Sequence, residues 1–330
     1  MTAASVADSV RASVAVSLML DHVAAVTSSR LADAGIPAIL LKGAAIATWL
    51  YTEGEARPYR DVDLLVSPAQ FDQAQTVLAG LGYVNPLAGA ANCEYGSNEL
   101  RLVGRMGDSI DLHHALIGVP EPARAWQCLY SRSTTLAVGG AELRVLDVEA
   151  RAMHLALHAM QDGPIDVKAM EDLARGVARL PLATWKGAAG LAAELGAMGP
   201  FGAGLRLFPA GAALAEQLGL PDVVNVDLTM RARSDPPEAF LMEQLAGLPD
   251  FRARAALLGR KLFPTTVYLK SQYPMAARGP LGVTAARFCR LGSLALRTVP
   301  AMVAWRRARR HVRRQAGATP AAGGPPGRSR

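Results

Sequence analysis

Arg60-Asp61-Val62-Asp63-Leu64-Leu65-Val66 reads as a short buried strand opened by two acids at i and i+2. Side chains alternate faces along a strand, so Asp61 and Asp63 point to one spot while Val62 and Leu64 pack beneath. Two carboxylates converging at a strand end suit a hard cation such as Mg²⁺ or Mn²⁺, which takes oxygen ligands. A bare D-x-D is equally served by one acid capping the strand and the other in solvent. The flanking sequence decides between them.

Upstream, Ile36–Leu41 is a continuous apolar run and reads as a second buried strand. It passes through Lys42-Gly43 into Ala44–Tyr51, which has helical character. Strand, glycine, helix is a geometry that brings backbone N–H groups to a helix start, where an anion can bind. Downstream, Glu99–Val103 and Ser109–His114 flank Gly104–Gly107 as a hairpin. Its second strand carries Asp111, with His113 two residues on and on the same face. Lying beside the Asp61/Asp63 strand, it would complete a site of three carboxylates.

Gly43 on a strand-to-helix turn, the Asp61-Val62-Asp63 pair and the later Asp111 resemble the nucleotidyltransferase superfamily of DNA polymerase beta type. The fuller string, Leu41-Lys42-Gly43, Tyr51, Arg57, Asp61–Val66, Leu81-Gly82-Tyr83 and Ile110–His114, is similar to its uncharacterised bacterial branch, which often accompanies peptide natural-product clusters. The resemblance covers residues 15–120 well and the helical remainder more loosely. It implies an α+β fold: a small mixed sheet forming the catalytic core, flanking helices, and a mostly helical C-terminal region. It also implies metal ions on Asp61, Asp63 and Asp111, a nucleoside triphosphate donor, and Asp111 as general base or second-metal ligand. Lys42, Gly43, Arg57, Arg60 and His113 would serve the nucleotide. Two departures stand out. Ala44 replaces the serine that usually follows the glycine, and the interval from Gly43 to Asp61 is longer than the superfamily usually has.

With 51% hydrophobic and 19% charged residues, a chain of 330 residues is globular and long enough for one large or two modest domains. Cys93, Cys128 and Cys289 lie far apart, which points to a reducing compartment and away from a disulfide framework or zinc site. The net charge is +7, yet eight of the 35 basic residues follow Met302, where there is no acid. That leaves 27 bases against 28 acids in the rest of the chain, so the basicity belongs to the tail. Nucleic acid as the main substrate loses weight accordingly. The apolar run Ala12–Leu20 lacks the flanks of a secretion signal, and a cytoplasmic protein is expected.

Along the chain, residues 5–34 read as an amphipathic helix or helix pair. Ser67-Pro68 opens a helix that runs to Leu78, a short strand follows near Tyr83-Val84, and residues 85–98 read as a loop. Residues 134–138 and 142–146 form a second hairpin candidate across Gly139-Gly140. The expected organisation is a helical segment at 1–34, a catalytic domain at 35–146, a helical domain at 147–314 and a disordered tail at 315–330. His154 and His158, at i and i+4, read as packed histidines, with His158 kept as a secondary candidate near the nucleotide. Lys168, Glu171 and Asp172 read as a solvated helix face. The basic helix from about Leu281 to Arg314 reads as a packed helix ending in solvated arginines, and contact with an anionic membrane is the competing reading. Two functions compete: a metal-dependent transferase moving a nucleotidyl or other phosphate-linked group onto a small-molecule or peptide acceptor, and a binding or scaffold protein on the same fold.

Overall fold

The computed structural model describes residues 3–52, 55–87 and 98–318. The order is α1 (Ala3–Asp33), β1 (Ala38–Leu40), α2 (Ala44–Leu50), β2 (Val62–Val66), α3 (Phe71–Gly80), β3 (Glu99–Val103), β4 (Ser109–His113), α4 (Pro122–Arg132), β5 (Thr134–Val138) and β6 (Ala141–Val145). Among the described residues, helices then follow without further strands: α5 (Val148–Asp162), α6 (Val167–Arg179), α7 (Leu182–Glu194), α8 (Met198–Leu205), α9 (Pro209–Gln217), α10 (Val226–Ala232), α11 (Pro237–Gly247), α12 (Phe251–Leu262), α13 (Thr266–Gln272) and α14 (Pro280–Ala318). The fold is α+β.

The six strands form one mixed sheet in the order β3-β4-β2-β1-β6-β5. All five residues of β2 are buried, because the strand is central and covered on both faces. Alternation sorts its side chains. Val62, Leu64 and Val66 share a core with Leu20, Leu31, Ala74 and Leu78 of α1 and α3. Leu65 points the other way, into the core built by α2, α4 and the helices α5 to α9. Asp63, two residues before Leu65, faces that second side as well. β4 runs parallel to β2 with Asp63 opposite Asp111 and Leu65 opposite His113, so register brings all three polar side chains to the face toward the helices.

Several local expectations change. The stretch read as a helix or helix pair at 5–34 is one helix, Ala3–Asp33. Ser67 makes no side-chain cap, and Pro68–Gln70 is a 3-10 turn before α3 begins. The strand near Tyr83 reduces to a single bridge, Val84 to Val103. Residues 315–318 of the expected tail are helical; residues 319–330, Cys93 and most of the loop at 85–98 lie outside the described residues.

α5 is the hub of the helical part and packs against α6, α7, α8 and α10. The α5–α8 crossing is close enough that a Cβ on Gly204 would lie 2.1 Å from the Ala156 carbonyl oxygen. Backbone is the obstacle, so the crossing itself would have to open. Gly204→Ala is expected to destabilise by about 3 kcal/mol, the upper end of overpacking costs, read as a lowered urea midpoint. An unchanged midpoint would mean the two helices cross farther apart.

Candidate active site

The turn that opens the site depends on Gly43. Its φ of 61° and ψ of −124° place it where L side chains are strained, and a Cβ there would touch the Tyr59 ring at 3.4 Å. The turn carries Lys42 toward β2, where Nζ lies 2.7 Å from Asp63 Oδ1. His113 Nε2 is 3.1 Å from the same oxygen, and its Nδ1 is 3.2 Å from Glu99 Oε2. Burial alone would raise the Asp63 carboxyl, but the Lys42 ammonium and His113 outweigh it and hold the group well below the usual carboxylate range. A buried charge is tolerable only when paired in this way.

Asp111 lacks such partners. Its Oδ1 is buried without a hydrogen bond. Burial first, then the charges of Asp63, Asp61 and Glu99, push its carboxyl up to about 6. Each of the other two acids thus acts electrostatically on Asp111. As placed, however, no three or more His, Cys, Asp or Glu side chains among the described residues are arranged around a metal position. The Lys42 ammonium occupies Asp63 instead.

In front of the acids lies a cavity of about 200 Å³ lined by Lys42, Gly43, Arg57, Tyr59, Asp61 and Asp63 from the sheet side. His158, Asp166 and Lys168 line it from the helical side. Asp61 sits just before the first residue of β2 and faces the cavity. Arg57 is buried at its edge and grips Asp172 of α6, with Nε 2.8 Å from Oδ1 and Nη2 2.5 Å from Oδ2. Tyr51 donates to the same carboxylate at 2.7 Å. The remaining Arg57 nitrogen, Nη1, is buried without a partner.

Of the residues expected at the site, Lys42, Gly43, Arg57, Asp61 and Asp63 therefore line one cavity, while Asp111 and His113 stand beside Asp63 one strand away. Arg60 is exposed and does not line the cavity. His154 and His158 stack with centroids 5.9 Å apart; burial pushes His154 down to about 3 and His158 well below its ordinary value. The solvated face read for α6 holds only for Glu171. Asp172 is fully buried, and Lys168 lines the cavity with its ammonium pulled down by burial and by Arg57. Tyr59 and Asp166 went unread in the sequence. Asp166 did have a signal, since it caps α6 by accepting from the Ala169 N–H at 3.0 Å.

Solved structures with some likeness include the antibiotic-resistance factor ANT(2'')-Ia in solution, 14% identical over 56% of this chain and 95% of that one, with a TM-score of 0.38. A crystal structure of ANT(2'')-Ia with adenylyl-2''-tobramycin is 16% identical over 51% and 94%, with a TM-score of 0.35. An antigenic nucleotidyltransferase-like protein from Paracoccidioides brasiliensis is 14% identical over 53% and 88%, with a TM-score of 0.32. No curated protein matches the chain. Residues 9–210 match a family described as uncharacterised nucleotidyltransferase. The match ends at residue 210, short of the later helices, but it takes in the whole sheet, the cavity and more than half of the sequence. The chain belongs to the uncharacterised nucleotidyltransferase family.

Proposed function

We propose that this nucleotidyltransferase moves a nucleotidyl group from a nucleoside triphosphate to a hydroxyl or amine of a small-molecule or peptide acceptor, in the cytoplasm. Asp61, Asp63 and Asp111 would hold Mg²⁺ or Mn²⁺. The observation that carries this is the meeting of Lys42, Gly43, Arg57, Asp61 and Asp63 at one cavity, with Asp111 in register beside Asp63. The donor set suits a hard cation in kind: three carboxylates, one with a buried oxygen that has no partner. Such a cation, when bound, neutralises triphosphate charge and orients the transferred group.

The remaining work falls to side chains. Lys42 would exchange Asp63 for a phosphate oxygen. Arg57, held from behind by Asp172, would offer Nη1, and Lys168 would close on the phosphates from the helical side. These three cations would replace the hydroxyl that Ala44 lacks. Asp111, raised to about 6, would be suited to receive the acceptor's proton near neutral pH.

A binding or scaffold protein on the same fold is the second reading, favoured by Ala44 and by the Lys42 ammonium seated on Asp63. Thermal shifts with Mg²⁺ and each nucleoside triphosphate separate the two. A ligand at about 100 times its Kd stabilises by about 2.7 kcal/mol. One nucleotide is expected to raise Tm only with Mg²⁺, and Asp63→Asn is expected to lose that rise while still melting cooperatively. A nucleotide shift of equal size without Mg²⁺, or kept in Asp63→Asn, would favour the binding protein.

A further inference from the structure

Helix α14 contains nine arginines and no acid. One side of it is packed. Ala301, Ala304 and Ala308 are buried with Met230 and Ala239, and Ala286 is buried with Leu269 and Ala276. Arginines on that side have partners: Arg309 Nε lies 2.9 Å from Glu243, Arg297 Nη1 3.5 Å from Glu238, and Arg290 Nη2 donates to the Lys261 carbonyl at 3.0 Å.

The opposite side differs. Leu281, Phe288, Leu296, Val299 and Val303 are 87, 71, 81, 68 and 52% exposed. Their positions return to within about 80° of one another on a helix of 3.6 residues per turn, with Ala285 and Gly292 between them and no charge. The same side then continues into Arg306, Arg310 and Arg314, which are exposed and have no ion-pair partner among the described residues. Scattered apolar side chains on a surface are ordinary, but a continuous uncharged stripe more than twenty residues long is an interaction surface. The helix lies outside the family match, which ends at residue 210.

We infer that this face of α14 rests on an anionic lipid surface. The helix would lie in the plane of the interface, with Phe288, Leu296 and Val299 among the acyl chains and Arg306, Arg310 and Arg314 at the phosphates. No described helix is long and apolar enough to cross a membrane, so α14 lies on the bilayer. A second copy of the chain fits the face poorly. Parallel pairing sets the free arginines against each other, antiparallel pairing sets them against Leu281 and Phe288, and the stripe offers no acid in either case. An anionic bilayer supplies an apolar phase and negative charge together.

Flotation of the full chain with vesicles of phosphatidylcholine, with and without phosphatidylserine, tests this. The chain is expected to float with the anionic vesicles, much less with neutral ones, and less again at high salt. Phe288→Asp with Leu296→Asp is expected to abolish flotation at unchanged Tm. Arg310→Gln with Arg314→Gln is expected to weaken it roughly thirtyfold, about fivefold per arginine. No flotation with anionic vesicles would overturn the inference. So would full binding by the Phe288→Asp, Leu296→Asp variant, since the arginines alone would then account for it. A native dimer that this variant splits, without vesicle binding, would assign the face to a second copy.

Discussion

Asp172→Ala is expected to destabilise the protein by about 3–5 kcal/mol, the cost of removing one partner from a buried ion pair. Asp172 has no exposed surface, and the Arg57 side chain is 2% exposed. Truncation leaves a guanidinium buried without a counterion and the Tyr51 hydroxyl without its acceptor. Because both charges were desolvated to form the pair, its net contribution is small, and a double replacement should show it. Arg57→Met with Asp172→Leu is expected to recover most of the stability lost in Asp172→Ala. It would not recover nucleotide binding, since Arg57 lines the cavity. Urea unfolding of the single and double variants gives both numbers. A loss under about 1 kcal/mol for Asp172→Ala would mean that the pair is solvated.

Asp111→Asn is expected to have the opposite sign. In the folded protein the Asp111 carboxyl is displaced from 3.8 to about 6, chiefly by burial and then by Asp63, Asp61 and Glu99. The folded state therefore binds the proton more tightly than the unfolded state. Stability falls as pH rises from about 4 to about 6, and above that the full penalty remains. A displacement of that size corresponds to roughly 3 kcal/mol between the two protonation states. An amide of the same shape has no charge to desolvate and brings two N–H donors to a cluster of acids. Melting in chelator at pH 4 and pH 8 checks this: Asp111→Asn should gain several degrees over the native protein at pH 8 and little at pH 4. The same variant should be inactive if Asp111 takes the acceptor's proton. Equal melting curves at both values would show that Asp111 is ionised without cost, and so better solvated than its surroundings indicate.

These two residues show where sequence reading reached and where it stopped. Asp111 was legible because strand alternation is local: Asp111 and His113 share a face whatever the strand pairs with. That its neighbour is Asp63 follows from the parallel register of β2 and β4, a pairing across 48 residues that no local pattern specifies. Asp172 was misread for a related reason. Ala169, Leu173 and Gly176 mark the buried stripe of α6, and Asp172 lies on that stripe, while Glu171 beside it faces out and pairs with Arg175. Grouping Lys168, Glu171 and Asp172 by charge hid their different angles around the helix. Knowing that a buried acid is tolerated there also required Arg57, 115 residues earlier in the chain.

Short-range patterns in the sequence determined the strand carrying Asp61 and Asp63, the glycine turn, the two hairpins, the change to helices after Asp147 and the basic end of the chain. Alternation, turn chemistry and helix periodicity all act within a few residues. Only the tertiary structure decided that Lys42 sits on Asp63, that Arg57 is held by Asp172, that Lys168 and His158 close the cavity, and that one face of α14 is left uncovered. Each of these depends on which distant surfaces meet, and burial and ion pairing take their sign from that meeting.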